Sequence, residues 1–405
     1  MTATAGPAPS STHEERRAMG VACGAHALHD GYTDLIYVML PVWQSEFGLG
    51  YAALGLMKTV FAGTLAGLQI PSSLLAERLN PPLVLALGTA LAGFGYCLAG
   101  LSHGVVMLVA ALFIGGLGAS TQHPLGSALV AQTFAGPRSL KALGTYNFAG
   151  DIGKMTVPAA ASLLLVALPW REALALLGGA GVLAAIVIFV LMPRLHEVTT
   201  AKKKEADARS DAGVNGYGFP LLLSVGVIDS ATRMAFLTFL PFVLTAKGAS
   251  LPTVGLALTL VFAGGATGKI ACAFIGARIG TVATVWLTEA VTALGIIALL
   301  PLPLEAALVL LPVVGIALNG TSSVLYGSVP DMVAPEKRTR AFGIFYTGTI
   351  GAGAVSPALY GLFGDALGVP TTLVIVAGVV LITLPLMLLL RPALANGTMT
   401  GKQRL

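Results

Sequence analysis

Charge is what this chain has least of. Asp, Glu, Lys and Arg make up 10% of its 405 residues, against about a quarter in an ordinary soluble domain. With 56% hydrophobic residues and a mean hydropathy of +0.85, it cannot cover itself in polar surface, so lipid is the solvent it is built for. Cysteine is nearly absent too. Cys23, Cys97 and Cys272 lie in apolar runs with no CxxC spacing, which excludes a disulfide framework and a cysteine metal cage. There is no glycine-rich loop ending in Lys-Ser/Thr, so ATP hydrolysis within the chain is not its energy source. Neither a nucleophile–base arrangement nor a soluble sensory domain is visible, so an enzyme or a receptor is not expected, and no cofactor or resident metal is implied. Residues 1–17 are polar. The apolar run after them is longer than a signal-peptide core and has no small-residue cleavage site, and reads as a retained first span.

What is present is a series of apolar segments. Twelve are long enough to cross a ~30 Å hydrocarbon layer, at about 20 residues each: 18–44, 51–77, 82–102, 104–133, 139–168, 171–193, 218–245, 252–277, 280–302, 304–330, 339–367 and 370–391. The polar stretch 195–216, with Lys202-Lys203-Lys204, divides six from six. The expected organisation is a tail (1–17), a six-helix bundle (18–194), a linker (195–216), a second six-helix bundle (217–392) and a C-terminal tail (393–405). Placing both termini in the cytoplasm puts Arg16, Arg17, Arg78, Arg138, Lys141, Arg278, Lys337, Arg338 and most other basic residues on the inner side, with only Arg171 and Lys247 outside. That asymmetry follows the positive-inside rule. It assigns the net charge of +5 to membrane anchoring, not to nucleic acid.

The halves repeat at a spacing near 200. Gly55-Leu56 aligns with Gly255-Leu256, and Val60-Phe61-Ala62-Gly63 with Val261-Phe262-Ala263-Gly264. Gly126-Ser127 aligns with Gly327-Ser328, and Leu143 through Pro158 with Phe342 through Pro357. Two pseudo-symmetric bundles with a site between them are the expectation for such a chain. The pattern resembles the major facilitator superfamily over nearly the whole chain. Within it, His123-Pro124-Leu125-Gly126-Ser127 and the His/Asp stretch of span one resemble the fosmidomycin-resistance group. The resemblance implies an all-α fold of twelve transmembrane helices in two six-helix bundles. It also places spans 1, 2, 5, 7 and 8 around a central cavity. The superfamily's loop motif after span two is reduced here to Glu77-Arg78, and the glycine-proline antiporter pattern of span five is incomplete.

Ionisable residues at membrane depth mark function, because they are costly unless they face water or a partner. Asp30 and Asp34 sit one helical turn apart, about 6 Å on one face. They disfavour simultaneous ionisation, so one should load and release a proton near neutral pH. The competing reading is a structural ion pair with a lysine such as Lys58. Asp151 and Lys154, and Asp229 and Arg233, are neighbours on their own helices. They either neutralise each other or lend the cation to an anionic substrate, and a planar guanidinium suits the latter. Lys58 and Lys269 have no acidic neighbour within a turn and must find a partner elsewhere, reach an interface or face water. Glu289, on a span the resemblance makes peripheral, reads as structural. His26 and His29 beside Asp30 could relay protons or, with Asp30 and Asp34, hold a transition metal, and His123 beside Pro124 could bond the backbone that the proline frees; sequence shows no convergence.

The candidate proton-coupling residues are therefore Asp30, Asp34, Asp151, Asp229 and His29. The candidate substrate-binding residues are Arg233, Lys154, Lys58, Lys269, His123, Gln122, Asn147, Tyr326 and Tyr346. The expected protein is a monomeric secondary transporter of the inner membrane. It moves a small polar, anionic compound by alternating access, as a proton-coupled antiporter of the drug- and phosphonate-efflux type. Uptake or exchange of an organic anion is the alternative.

Overall fold

The structure, a computed structural model, describes residues 12–134, 138–192, 217–334 and 337–402. The expected linker 195–216 lies outside them. Fifteen α-helices follow in order: α1 (Thr12–Phe47), α2 (Tyr51–Gly67), α3 (Gln69–Arg78), α4 (Pro81–Gly100), α5 (Val105–Ala119), α6 (Gln122–Thr133), α7 (Arg138–Ala167), α8 (Trp170–Leu191), α9 (Gly218–Ala246), α10 (Leu251–Ile279), α11 (Thr281–Leu299), α12 (Leu304–Ser328), α13 (Arg338–Leu367), α14 (Val369–Leu381) and α15 (Thr383–Lys402). Helices alone suit this solvent, since each satisfies its own backbone polar groups where no water can.

Each of the twelve expected segments falls on one helix or on a consecutive pair. The pairs are α2 with α3, α5 with α6, and α14 with α15. Among the described residues, nine stretches are long and apolar enough to span a membrane, or ten if the α2–α3 pair, bent by 40°, counts as one. α1 and α13 fall outside that set. α1 carries charge along its length, including Glu14, Glu15, Asp30, Asp34 and Glu46, so its polarity hides a helix that geometry makes continuous.

Packing gathers the chain into two compact units. The first consists of the described residues within Met1–Thr33, Gly67–Lys154 and Trp170–Lys204. Its centre is α4, packed against α8 and α5. α1 crosses α7 here with almost no separation: a Cβ on Gly153 would lie 1.8 Å from the carbonyl oxygen of Ala27, so only glycine permits the contact. A core of Ala22, Ala25, Leu85, Leu125, Leu129 and Tyr146 underlies it.

The second unit takes Asp34–Ala66, Met155–Pro169 and the described residues of Glu205–Leu405. In it α10 packs along α12, α13 along α9, and α11 against α12 and α14, around Leu222, Val225, Val285, Leu325 and Phe345. Most of α2 belongs to this unit.

Candidate functional site

In the first unit three helices, α1, α6 and α7, bring polar residues to one carboxylate. Asp30, on α1, is buried. Its Oδ2 pairs with Lys154 Nζ of α7 at 3.3 Å. Its Oδ1 faces three imidazoles: His26 Nε2 at 3.4 Å, His123 Nε2 at 3.8 Å and His29 Nε2 at 3.9 Å. The space exists because α7 carries glycine here. A Cβ on Gly150 would lie 2.6 Å from Asp30 Oδ2. Lys154 therefore serves Asp30 across the helix interface, a partner that its spacing from Asp151 on the same helix did not foretell. Nor is Asp30 neutralised by Lys58.

The histidines are fixed by what their other atoms do. His26 Nδ1 lies 2.8 Å from the carbonyl oxygen of Tyr146; a carbonyl only accepts, so Nδ1 carries a hydrogen and Nε2 is the atom turned to Asp30. The Tyr146 ring stacks on His26 with centroids 4.0 Å apart. Its hydroxyl exchanges hydrogen bonds with Gln122, at 3.3 Å to both the side-chain amide and the carbonyl. Gly126 of the His-Pro-Leu-Gly-Ser run leaves room for that hydroxyl, since its Cβ would come within 2.2 Å. His123 stands edge-on to both other imidazoles.

His26 Nε2, His29 Nε2 and Gln122 Oε1 are buried without a hydrogen-bond partner, and the last two residues line one small cavity with Tyr32, Thr89 and Thr121. The cluster is not sealed: the side chains of His123 and Lys154 are 44% and 30% exposed while those of His26 and Asp30 are 4% and 7%. A cation and an imidazole are presented outward, with a carboxylate behind them. His26, Asp30 and His123 are spaced so that they could also hold a metal ion. The ammonium already paired with Asp30 supplies the positive charge such an ion would bring.

The second unit contains a different polar set. Arg233, on α9, lies within electrostatic reach of Asp229 on its own helix, Glu289 of α11, Tyr37 of α1 and Tyr326 of α12. Its Nε is buried with no hydrogen bond. Glu289 is buried and linked electrostatically to Asp229. Lys58, 2% exposed, stacks its ammonium over the Tyr37 ring at 4.3 Å, and the Tyr37 hydroxyl reaches Met234 Sδ at 3.2 Å. This lysine does not reach an interface. Asp34 is buried on the α1 face of the same unit.

The remaining candidates are placed less centrally. Tyr326 and Tyr346 pack together with ring centroids 4.6 Å apart. Lys269 is half-buried on α10, Asp151 is buried on α7, and Asn147 is exposed beside the buried Tyr146. The side chain of this stretch that meets the histidines is Tyr146. Tyr37 carried no sequence signal at all, being an aromatic in an apolar run.

Many apolar helices with charged clusters buried among them are what a multi-pass membrane transporter requires. A family model described as Major Facilitator Superfamily matches residues 22–221 and again 222–403, and the chain belongs to that family. Among curated proteins it is 26% identical to the "Probable sulfoacetate transporter SauU" of Cupriavidus necator, over 86% of this chain and 87% of that one. It is 24% identical to the fosmidomycin resistance protein of Escherichia coli, over 88% and 89%. Among solved structures it resembles a bacterial homologue of the human lysosomal transporter Spinster in an inward-facing, occupied conformation. That match has a TM-score of 0.80 at 14% identity, covers 96% of this chain and 99% of that one, and speaks for the fold alone.

Proposed function

We propose that the protein is a secondary active carrier of a small organic anion that loads its anion and a proton together. The observation that carries this reading is the Lys154–Asp30 ion pair at 3.3 Å, ringed by three histidines and with its cation partly exposed. An entering anion competes with Asp30 for Lys154. A buried carboxylate deprived of its cation is costly as an ion and takes up a proton instead. Anion and proton therefore favour each other's binding, and by linkage the favour is reciprocal. His26, turned with Nε2 toward Asp30, and His29 supply a route for that proton.

Cooperative loading means co-transport. With a proton gradient directed inward, it means uptake. The relative named as a sulfoacetate transporter supports a small sulfonate or carboxylate as substrate. Efflux of a drug or phosphonate by antiport is the second reading, supported by the fosmidomycin resistance relative; it requires proton and substrate to exclude each other at one site. His123, Gln122 and Asn147 are the other proposed substrate contacts of the first unit. Arg233, Lys58, Lys269, Tyr326 and Tyr346 are a separate proposed set in the second. Asp34, Asp151 and Asp229 are the other proposed proton carriers. We further propose an inner-membrane monomer with both termini cytoplasmic.

Proteoliposomes decide between the readings. Sulfoacetate and a panel of small carboxylates and phosphonates, presented with an acidic exterior, should accumulate above equilibrium, and each anion should bind more tightly as pH falls. Anion affinity that weakens on acidification, with flux opposite to the proton gradient, would establish the antiport reading instead.

A further inference from the structure

α2 begins at Tyr51 behind Gly50, a residue with no side chain to satisfy the free N–H groups of the first turn. The missing acceptor comes from more than three hundred residues away. Asp365, near the end of α13, accepts from Tyr51 N at 2.6 Å through Oδ1 and from Ala52 N at 3.0 Å through Oδ2.

The contact continues below that cap. A Cβ on Gly55 would lie 2.0 Å from the carbonyl oxygen of Pro357, and one on Gly361 2.5 Å from that of Tyr51. The two backbones therefore touch over about one turn. The Tyr51 ring packs against Phe242 and Phe239 at centroid distances of 5.1 and 6.0 Å. α2 lies in the first family match and α13 in the second, so this is a bond between repeats.

The repeat itself shows that the arrangement is specific. At a spacing of 200, Gly50 corresponds to Ser250, which caps its own helix by accepting from Thr253 N at 3.4 Å. In the Leu143–Pro158 alignment, which runs at 199, Asp365 corresponds to Val166, which has nothing to donate or accept. One half caps itself; the other borrows its cap from across the repeat boundary.

We propose that Asp365 is a latch. Its carboxylate caps α2 across the repeats and holds shut the end of the transport path at the α1–α2 connection, one span away from the N-terminal tail. For the carrier to open at that end the repeats must part there. Parting strips α2 of this cap, so closure is favoured until loading shifts the balance.

The test uses the full chain in nanodiscs, with Cys23, Cys97 and Cys272 replaced by alanine and spin labels at Leu49 and Ala366. No substrate is added, so the result is independent of the anion and proton assignment. Pulsed dipolar measurements should find chiefly a short distance in the parent. Asp365→Asn and Asp365→Ala should raise the long-distance population about five- to tenfold, the equivalent of a lost N-cap, and Asp365→Glu should largely preserve the short one. Gly50→Ser added to Asp365→Ala gives α2 a local cap, and the long-distance population should persist. Unchanged distances in both Asp365→Asn and Asp365→Ala overturn the proposal. So does closure regained in the double variant, because the effect would then be fraying of α2 and not a bond between repeats.

Discussion

Lys154 and Asp30 are worth more together than either is alone, and substitutions at the pair should separate binding from coupling. Lys154→Ala removes the cation that meets the anion and leaves a buried carboxylate unpaired. Truncating one partner of such a pair costs about 2 kcal/mol or more, so anion affinity measured by calorimetry should fall at least tenfold. Asp30→Asn keeps an uncharged neighbour beside Lys154. That variant should bind the anion, catalyse its exchange and lose both accumulation driven by a pH gradient and the pH dependence of binding. Loss of exchange together with accumulation would show that Asp30 acts on binding itself. In the second unit, Arg233→Lys keeps the charge but not the planar fork. It should weaken anion binding by about tenfold, whereas Arg233→Lys with affinity intact would remove Arg233 from the substrate contacts.

At the scale of elements, the site is precise because helices approach more closely than side chains normally allow. Gly153 lets α1 lie directly on α7, which sets Asp30 within reach of Lys154. Gly153→Ala forces a methyl group into the Ala27 carbonyl. Overpacking of this kind costs about 1–3 kcal/mol, so the apparent melting temperature in detergent should drop by several degrees. Anion affinity should fall with it, since the pair is pulled apart. A variant with normal melting and normal affinity would mean that α1 and α7 are free to separate. The elements were largely legible in the sequence, because apolar runs of about 20 residues leave few alternatives in lipid. The breaks at Leu68, Ser120-Thr121 and Ile382 were not. Local bends depend on how a helix packs against its neighbours and leave no periodic signature.

For the whole molecule, orientation is the property most easily put to the test. Single cysteines at Arg78 and Lys247, on opposite sides in the proposed topology, should be labelled by a membrane-impermeant maleimide only from the inside and only from the outside of intact cells, respectively. Labelling of both from one side would refute the assignment of cytoplasmic termini. The duplication read from short matches about 200 residues apart agrees with two consecutive matches to one family model. Packing follows a different division: Thr33 and Asp34 are neighbours on α1 yet belong to different compact units.

The sequence by itself determined the solvent, the helical class, the duplication and the roster of charged residues buried in it. Those properties follow from composition, segment length and internal similarity, which are linear in the chain. Only the tertiary structure decided the partners: Lys154 with Asp30, Tyr146 under His26, Glu289 coupled to Asp229, Asp365 on the first turn of α2. Each pairing joins residues on different helices, and which helix faces meet is set by close packing of glycine, alanine and ring surfaces that no spacing along one helix encodes.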